Sequence, residues 1–447
     1  MNALAPFRKY LNKSDERSAK TIKNIFSSFV IKGVSILINL ALIPLTINYL
    51  SPVKYGVWLT ISSMLGWINF FDVGLGHGLR NKLAEALAKG EMDKAKSYVS
   101  TAYVSITLLC IALFGVFLII NNFLNWNTLL NIPEKIDEDM KSIALIIFSM
   151  FSLQFILQLI NSILLSTQQS YKVSFINMFS NLFILMGIYI LITFTKESLY
   201  NIALVFSIVP VLVFTVINIY HFKVPFKSFS PSFKHFDRKA LKDVLHLGVK
   251  FFIIQITVLV FFQTSNLLIC RYFSPELVTP YNVAFRYFGI VTMAFSIIMV
   301  PYWSAYTEAY IKQDFAWIRK TVKQSLRLWL LFVAGAVVML IFSDYAYHSW
   351  VGDEVKIDFK ISFFMMIYAI LLTFSSIFIM LINGIGDIKL QMIVNVIGMF
   401  LFIPLSYFLA KVIDLGIIGI IISTIICSGY GFIVAPLQVR RILQKQK

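Results

Sequence analysis

Uninterrupted apolar segments of about 20 residues recur along the whole chain, and they limit its fold more than any other feature. A helix needs about 20 apolar residues to cross the hydrocarbon core of a bilayer. Strands that cross a membrane would instead alternate in polarity over about ten residues. The pattern therefore predicts an all-α polytopic membrane protein with about 12 transmembrane helices, at residues 24–50, 55–75, 98–121, 142–166, 174–195, 200–220, 247–270, 282–304, 326–344, 361–383, 389–411 and 417–437.

The composition agrees with a membrane protein, since 58% of the 447 residues are hydrophobic and only 14% are charged. An ordinary soluble domain is about 45–50% apolar and about 25% charged. The first apolar segment is too long for a cleavable signal peptide, so it is expected to remain as the first helix. Cys110, Cys270 and Cys427 lie far apart in apolar segments, and their spacing indicates neither a disulfide framework nor a metal site.

The net charge of +17 comes from basic residues in short loops, which favours membrane orientation over nucleic-acid binding. With the N-terminus in the cytoplasm, the cytoplasmic segments hold 28 of the 39 Lys and Arg residues and the outer loops hold 8. This bias predicts that both termini are cytoplasmic. The remaining three, Lys32, Lys250 and Arg286, lie within or at the edge of predicted helices.

The two halves of the chain resemble each other at one constant shift, called here the half-chain offset. At this shift, residues 49–52 (YLSP) align with 272–275 (YFSP), and residues 84–91 align with 307–314. One offset at two separate places predicts a duplication with six helices in each half, related by an axis along the membrane normal and enclosing a central cavity. The predicted segments are a cytoplasmic tail (1–23), a first lobe (24–220), a linker (221–246), a second lobe (247–437) and a cytoplasmic tail (438–447).

Charged side chains at membrane depth are costly and usually functional. Lys32 lies about 12 Å from the start of the first helix at about 1.5 Å per residue, so it either faces a cavity or extends its ammonium group to the interface. Arg286, near the outer end of the eighth helix, has the same two interpretations. Lys250 is expected to anchor the interface.

Several amides are spaced to share one face of a helix. Such faces either hold helices together or line a hydrated cavity, and the sequence leaves both open. The amides considered are Gln154, Gln158 and Asn161 on helix 4, Asn177 and Asn181 on helix 5, Gln255, Gln263 and Asn266 on helix 7, and Gln391 and Asn395 on helix 11.

The segment FFDVGLGHGLRNK ends the second predicted helix. Asp72 and Arg80 bracket this end, where a structural role is expected, and His77 is expected in an exposed loop. The glycines follow no strand and lack the spacing of a dinucleotide site. The chain has no GxSxG, HExxH or Walker A motif and no paired carboxylates on one face, so neither an enzyme nor an ATP-driven pump is predicted.

The stretch from Pro44 to Tyr103 resembles bacterial O-antigen flippases of the Wzx type, which belong to the multidrug/oligosaccharidyl-lipid/polysaccharide superfamily. The features that carry the resemblance are YLSPxxYGxW, DxGLGxGLRN and LAxAxAxGxxxxAxxYVST. The resemblance implies a MATE-like fold without a cofactor. It also implies a substrate, an undecaprenyl-diphosphate-linked oligosaccharide of O-antigen or a similar surface polysaccharide. Alternating access would carry it to the outer leaflet of the inner membrane.

The resemblance further implies coupling to an ion gradient, of H⁺ or Na⁺, and association with a polysaccharide polymerase and a chain-length regulator. It makes Lys32 and Arg286 candidate contacts of the diphosphate, beside the amides Gln154, Gln158, Asn161, Gln255 and Gln263. The loop motif expected to contribute to gating comprises Asp72, Gly74, Arg80, Glu85 and Glu308.

Two other functions compete with this one. A cation-coupled multidrug exporter of the MATE branch would need acidic residues deep in the first lobe, where only Asp72 qualifies, near a helix end. A membrane-bound polymerase or ligase of glycans would need large outer loops, whereas no outer loop here exceeds about 20 residues.

Overall fold

A computed structural model describes residues 30–39, 41–42, 45–46, 48–50, 54, 58, 74–126, 138–273, 277–351 and 357–444. Its regular elements over these ranges are helices. They are α1 (Val30–Asn39), α2 (Leu75–Lys89), α3 (Met92–Phe123), α4 (Met140–Leu157), α5 (Leu159–Ser166), α6 (Ser170–Phe194), α7 (Leu199–Lys223), α8 (Arg238–Tyr272), α9 (Val278–Ile311), α10 (Phe315–Ile341), α11 (Ser343–Val351), α12 (Phe359–Ile385), α13 (Lys389–Tyr407), α14 (Ile417–Cys427) and α15 (Ala435–Gln444).

The described ranges contain nine helices long and apolar enough to cross a membrane, and one bent pair that would make a tenth. These ten spans coincide with predicted helices 3 to 12, which confirms the prediction over this part of the chain. The first predicted helix is described over Val30–Asn39 and at scattered residues after it. The second lies largely outside the described residues.

Two predicted spans are irregular. Residues 142–166 were predicted as one helix, but the structure has a break at Gln158 between α4 and α5. The last span bends by 44° between α14 and the π-helical turn Tyr430–Val434 that precedes α15. Pro210, Pro301 and Pro404 lie inside helices, while Pro44 lies outside the described residues.

Much of the exposed surface of the spans is apolar. On α3, the exposed side chains include Leu108, Ile111, Ile119 and Phe123. A helix in water would hide such residues, whereas a helix in a bilayer turns them towards the lipid. This surface identifies a multi-pass membrane protein.

The chain forms two compact units, Met1–Val249 and Lys250–Lys447. In the first unit, one apolar core joins α2 to α7 and the beginning of α8, and a second core joins α1, α4, α6 and α7. The second unit has a core shared by α8, α9, α10, α12, α13 and α14.

The same turn occurs once in each unit, at positions related by the half-chain offset. After α2, the Glu91 N–H donates to the Ala86 carbonyl at 2.9 Å and the Met92 N–H to Gly90 at 3.1 Å. After α9, the equivalent bonds from Asp314 to Ala309 and from Phe315 to Gln313 measure 2.9 and 3.0 Å. Gly90 and Gln313 both have positive φ, 74° and 56°. The offset found in the sequence therefore also relates backbone conformations.

Candidate functional site

The glycines of the DxGLGxGLRN motif let two backbones approach closely. Gly74 has a φ of 68°, and a Cβ atom on it would lie 1.9 Å from the carbonyl oxygen of Gly248. A Cβ atom on Gly78 would lie 2.3 Å from the carbonyl oxygen of Val244. Only glycine fits at these contacts. The motif is therefore where α2 packs on the first turns of α8. Asp72 lies outside the described residues.

Arg80 and His77 lie in the same motif. Arg80 is only 3% exposed, although the guanidinium group keeps its charge. His77 is half-buried, which contradicts the exposed loop position expected for it, because the segment continues as helix α2 and packs into the unit. Burial and repulsion from Arg80 lower the pKa of His77 to about 4, so its imidazole is neutral at pH 7.

The two glutamates of the predicted gating motif form ion pairs with neighbouring lysines. Glu85 contacts Lys89 at 2.6 Å and Lys82 at 3.1 Å. Glu308, its counterpart in the second unit, contacts Lys312 at 2.7 Å. The half-chain offset relates the pair Glu85–Lys89 to the pair Glu308–Lys312. Both stabilise the last turn before the repeated turn, and their role in gating stays a prediction.

The amides Gln154, Gln158 and Asn161 lie together around the break between α4 and α5. All three are half-buried. The Asn161 N–H donates to the carbonyl of Gln158 at 2.9 Å, three residues back, which tightens the chain at this point. Within the described part of the chain, the buried Oδ1 atom of Asn161 has no hydrogen-bond partner. The predicted face is therefore divided by an interruption of the helix at Gln158.

A buried polar contact beside this break was missed by the sequence analysis. The Asn218 side chain on α7 donates to the carbonyl of Leu157 at 2.9 Å and accepts a hydrogen bond from the Tyr103 hydroxyl of α3 at 2.7 Å. One amide thereby connects α3, α4 and α7 where the helix is interrupted. The broken helix gave no proline or glycine signal, so the sequence offered no reason to single out Asn218.

Lys32 lies on α1 and is half-buried. The same helix contacts α6 through a hydrogen bond from Asn181 to Asn39 at 3.2 Å. This bond shows that at least one predicted polar face holds helices together. A contact between Lys32 and substrate stays a prediction.

The opposite end of the first unit holds a charged cluster that the sequence analysis also missed. Lys54, within the YLSPxxYGxW motif, contacts Glu138 at 3.1 Å and Glu197 at 3.4 Å. Glu138 in turn accepts the N–H groups of Leu199 and Tyr200, both at 3.0 Å, and so caps α7. Burial alone would lower the pKa of Lys54, but the two carboxylates raise it. The motif therefore ties the segment after α1 to the start of α7.

In the second unit, Arg286 is exposed on α9, and no carboxylate among the described residues pairs with it. Arg286 and Glu308 are separated by 22 positions of one helix, about 33 Å at about 1.5 Å per residue, so the structure does not bring them together. Gln255 is half-buried, Asn266 accepts a hydrogen bond from Asn282 at 2.9 Å, and the Gln263 side chain lies outside the described residues.

The second unit also has a cavity of about 360 Å³ beside α13 and α15. Gln438 borders it and donates hydrogen bonds to the carbonyl and carboxylate of Asp387 at 2.9 and 3.1 Å. No group of His, Cys, Asp or Glu among the described residues could hold a metal ion. Cys110 and Cys427 are free thiols in buried positions, and the Cys270 side chain lies outside the described residues.

The chain is similar to a known protein family and to two known proteins. Residues 21–306 match the family described as "Polysaccharide biosynthesis protein". A "Putative O-antigen transporter" of Salmonella typhimurium is 21% identical over 417 residues, which cover 90% of each chain. Another protein of that name, from Salmonella typhi, is 19% identical. The alignment covers 81% of this chain and 82% of that protein.

Solved structures share the fold over nearly the full length. An outward-facing multidrug resistance MATE family transporter of the MOP superfamily has a TM-score of 0.78 at 15% identity, with 96% of each chain covered. The bent form of the Vibrio cholerae MATE transporter VcmN has a TM-score of 0.75 at 16% identity, with 96% of this chain and 99% of that chain covered. These relatives are transporters, which agrees with the prediction that the chain is not an enzyme. The chain belongs to the polysaccharide biosynthesis protein family and has a MATE-like fold.

Proposed function

We propose that this transporter moves an undecaprenyl-diphosphate-linked oligosaccharide, a precursor of O-antigen or a similar surface polysaccharide, from the cytoplasmic to the outer leaflet. The observation that carries the proposal is the similarity to O-antigen transporters over 90% of the chain, together with the polysaccharide family match. The protein would lie in the inner membrane, with both termini cytoplasmic as the distribution of basic residues favours.

The chemistry of the chain is consistent with this cargo. A lipid-linked glycan needs cations for its diphosphate and hydrogen-bonding groups for its sugars. Each unit has one of the candidate cations, Lys32 in the first and Arg286 in the second. Gln154, Gln158 and Asn161 form a half-buried group of amides. The lipid tail can stay in the bilayer, beside the apolar exterior of the helices.

Transport would proceed by alternating access, driven by a H⁺ or Na⁺ gradient, because the chain carries no nucleotide-binding motif. The cargo would be handed to a polysaccharide polymerase and its chain-length regulator. These steps rest on the resemblance to Wzx-type flippases.

The test is to delete the gene and locate the lipid-linked repeat units. We expect them to accumulate on the cytoplasmic leaflet, inaccessible to an enzyme added outside spheroplasts, while surface glycan is lost. Expression of the wild-type chain should reverse both effects. Normal surface glycan without such accumulation would contradict the proposal.

The alternative is a cation-coupled multidrug exporter of the MATE branch. The structural likeness at about 15% identity supports a shared fold but not a shared cargo. Drug-susceptibility profiles of the deletion strain separate the two: general sensitisation to cationic drugs with unchanged surface glycan would favour the exporter.

A further inference from the structure

Helix α10 of the second unit has one exposed face that changes character along its length. Its first half presents Arg319, Lys320, Lys323 and Arg327 to the surface. Its second half presents Leu330, Leu331, Val337, Val338 and Ile341. Successive positions along this face are separated by three, four or seven residues, which correspond to one or two turns, so they form one stripe.

Among the described residues, none neutralises these four cations. The sequence of α10 contains no Asp or Glu, and no carboxylate of the described residues lies within ion-pair distance of these four side chains. The buried face of the same turns carries Trp317, Ile318, Thr321 and Val322 instead. The stripe therefore lacks an anionic partner within the described part of the chain.

The cationic end of the stripe lies at the boundary of the membrane. The predicted span of 326–344 places Arg327 one residue inside the hydrocarbon core and the other three cations before it, within about 11 Å along the helix at about 1.5 Å per residue. Long Lys and Arg side chains at this boundary can reach the anionic head groups of the lipids.

The equivalent face of the first unit has a different environment. By the half-chain offset, Ser100 and Thr101 of α3 correspond to Lys323 and Gln324 of α10. Both α3 side chains are fully buried under the linker, where Ser100 accepts the Ser232 N–H at 3.0 Å and Thr101 accepts the Asp237 N–H at 3.1 Å.

By the same offset, the counterparts of Arg319, Lys320, Lys323 and Arg327 are Lys96, Ser97, Ser100 and Val104. The face of α3 is thus partly covered and has one cation, whereas the face of α10 is open and has four. Both helices follow the same turn, so the difference does not come from a different backbone. An open face with four cations beside an exposed apolar surface has the charge and polarity of a binding site for an acidic amphiphile.

We propose that this face of α10 binds acidic glycerophospholipids of the leaflet that surrounds its cationic end, with phosphatidylglycerol or cardiolipin as the ligand class. The phosphates lie against Arg319, Lys320, Lys323 and Arg327, and the acyl chains lie along Leu330, Leu331 and Val338. Basic pockets and clusters at the cytoplasmic edge of membrane helices bind acidic head groups in this way. This lipid-binding face is separate from the residues proposed to contact the cargo, and the proposal does not depend on the identity of the cargo.

The experiment compares the purified protein in nanodiscs of phosphatidylcholine with and without phosphatidylglycerol. Native mass spectrometry counts the phosphatidylglycerol molecules retained, and thermal unfolding measures their stabilising effect. In the variant R319Q/K320Q/K323Q/R327Q, we expect retention to fall by at least about tenfold and the rise in melting temperature to disappear. The charge-conserving variant R319K/R327K should retain the lipid.

The matched control removes four exposed cations from the linker region, in K234Q/R238Q/K239Q/K242Q. This control should bind phosphatidylglycerol as the wild type does. Equal losses in the two quadruple variants would indicate a general effect of charge and overturn the proposal, as would unchanged retention in the α10 variant. Displacement of phosphatidylglycerol by stoichiometric undecaprenyl diphosphate would assign the face to the cargo instead.

Discussion

The turn between α2 and α3 and the turn between α9 and α10 have the same backbone with different sequences. The first has glycine at the position of positive φ and the second has glutamine. Each is preceded by a Glu–Lys pair four residues apart. The two turns therefore share a conformation and an ion pair, while glycine, the residue best suited to a positive φ, is present in only one of them.

The flanking helices differ more than the turns. In the first unit, the linker covers α3, and glycines bring α2 against α8. In the second unit, the equivalent face of α10 is open, and close glycine contacts occur elsewhere, for example between Gly384 of α12 and the carbonyl of Trp303. The two units thus share the conformation of the turn, whereas the segments that pack on the flanking helices differ.

The largest effect is expected where backbones touch. Gly78→Ala places a Cβ atom 2.3 Å from the Val244 carbonyl, so α2 and α8 must separate. We expect a loss of about 3 kcal/mol or more in the free energy of unfolding, and a similar loss for Gly384→Ala in the second unit. Thermal unfolding in detergent measures both.

Gly115→Ala is the matched control, since a Cβ atom there meets nothing within 4 Å. We expect it to leave the melting temperature unchanged or slightly higher, because alanine favours the helix. A Gly78→Ala protein that unfolds at the wild-type temperature would contradict the close packing of the motif.

The second effect is expected when equivalent residues are exchanged between the covered face of α3 and the open face of α10. Ser100→Lys places on α3 the residue that α10 has at the equivalent position, but beneath the linker. Burying an unpaired ammonium group should cost about 2–3 kcal/mol or displace the linker. Trypsin should then cleave faster at Lys227 and Lys234, as followed by gel electrophoresis.

Lys323→Ser is the reciprocal control, and it should leave the cleavage rate and stability at wild-type values because the side chain is exposed. Equal proteolysis of Ser100→Lys and wild type would show that the linker is not held on α3.

Sequence periodicity was sufficient to place the helices. Each predicted span within the described ranges is present, because burial in lipid requires long apolar runs whatever the packing. The duplication was also visible in sequence, through residues that the turn requires. The break at Gln158 was not predicted, because a tertiary contact from Asn218 accompanies it and no local residue marks it.

The site was less accessible to sequence reasoning. The role of Gly74 and Gly78 depends on what lies opposite them, and Val244 and Gly248 belong to a helix far along the chain. Likewise, the sequence does not distinguish Lys54 from other loop lysines, because its partners Glu138 and Glu197 are far along the chain. Contacts between distant segments carry no periodic signal.

The third effect concerns Lys32 and Arg286, the two candidate contacts of the cargo diphosphate. If Arg286 contacts the cargo diphosphate, Arg286→Gln should reduce surface glycan about tenfold, the usual cost of losing a hydrogen bond to a charged group. Lys32→Gln, at a half-buried position, should have an effect of similar size. Quantified surface polysaccharide in complemented deletion cells is the measurement, normalised to protein level.

Arg271→Gln is the control for charge, because Arg271 is an exposed cation at the end of α8 in the same unit. It should support wild-type export. If Arg286→Gln and Arg271→Gln behave alike, the assignment of Arg286 to the cargo is wrong.

A smaller effect is expected from exchanging the residues of positive φ. Gln313→Gly should stabilise the protein by about 1 kcal/mol, because only glycine adopts a φ of 56° without steric cost. Gly90→Ala should destabilise it by a similar amount, since no neighbour lies within 4 Å to add a clash. Melting temperatures that move in the same direction for the two variants would show that the turns are not equivalent.

The smallest effect concerns the paired glutamates. Glu85→Gln and Glu308→Gln should each cost about 0.5 kcal/mol, because each glutamate forms an ion pair with the lysine four residues later. Burial alone would raise the pKa of Glu85, but hydrogen bonds from Lys89 and Lys82 hold it below its ordinary value of 4.5.

Since the folded protein holds this carboxylate deprotonated more strongly than the unfolded chain does, its contribution is present above pH 4.5 and is lost as pH falls further. Thermal unfolding of wild type and Glu85→Gln should therefore differ at pH 7 and converge as the pH falls below 4.5. A difference that persists at low pH would mean that Glu85 stabilises the turn by packing rather than by charge.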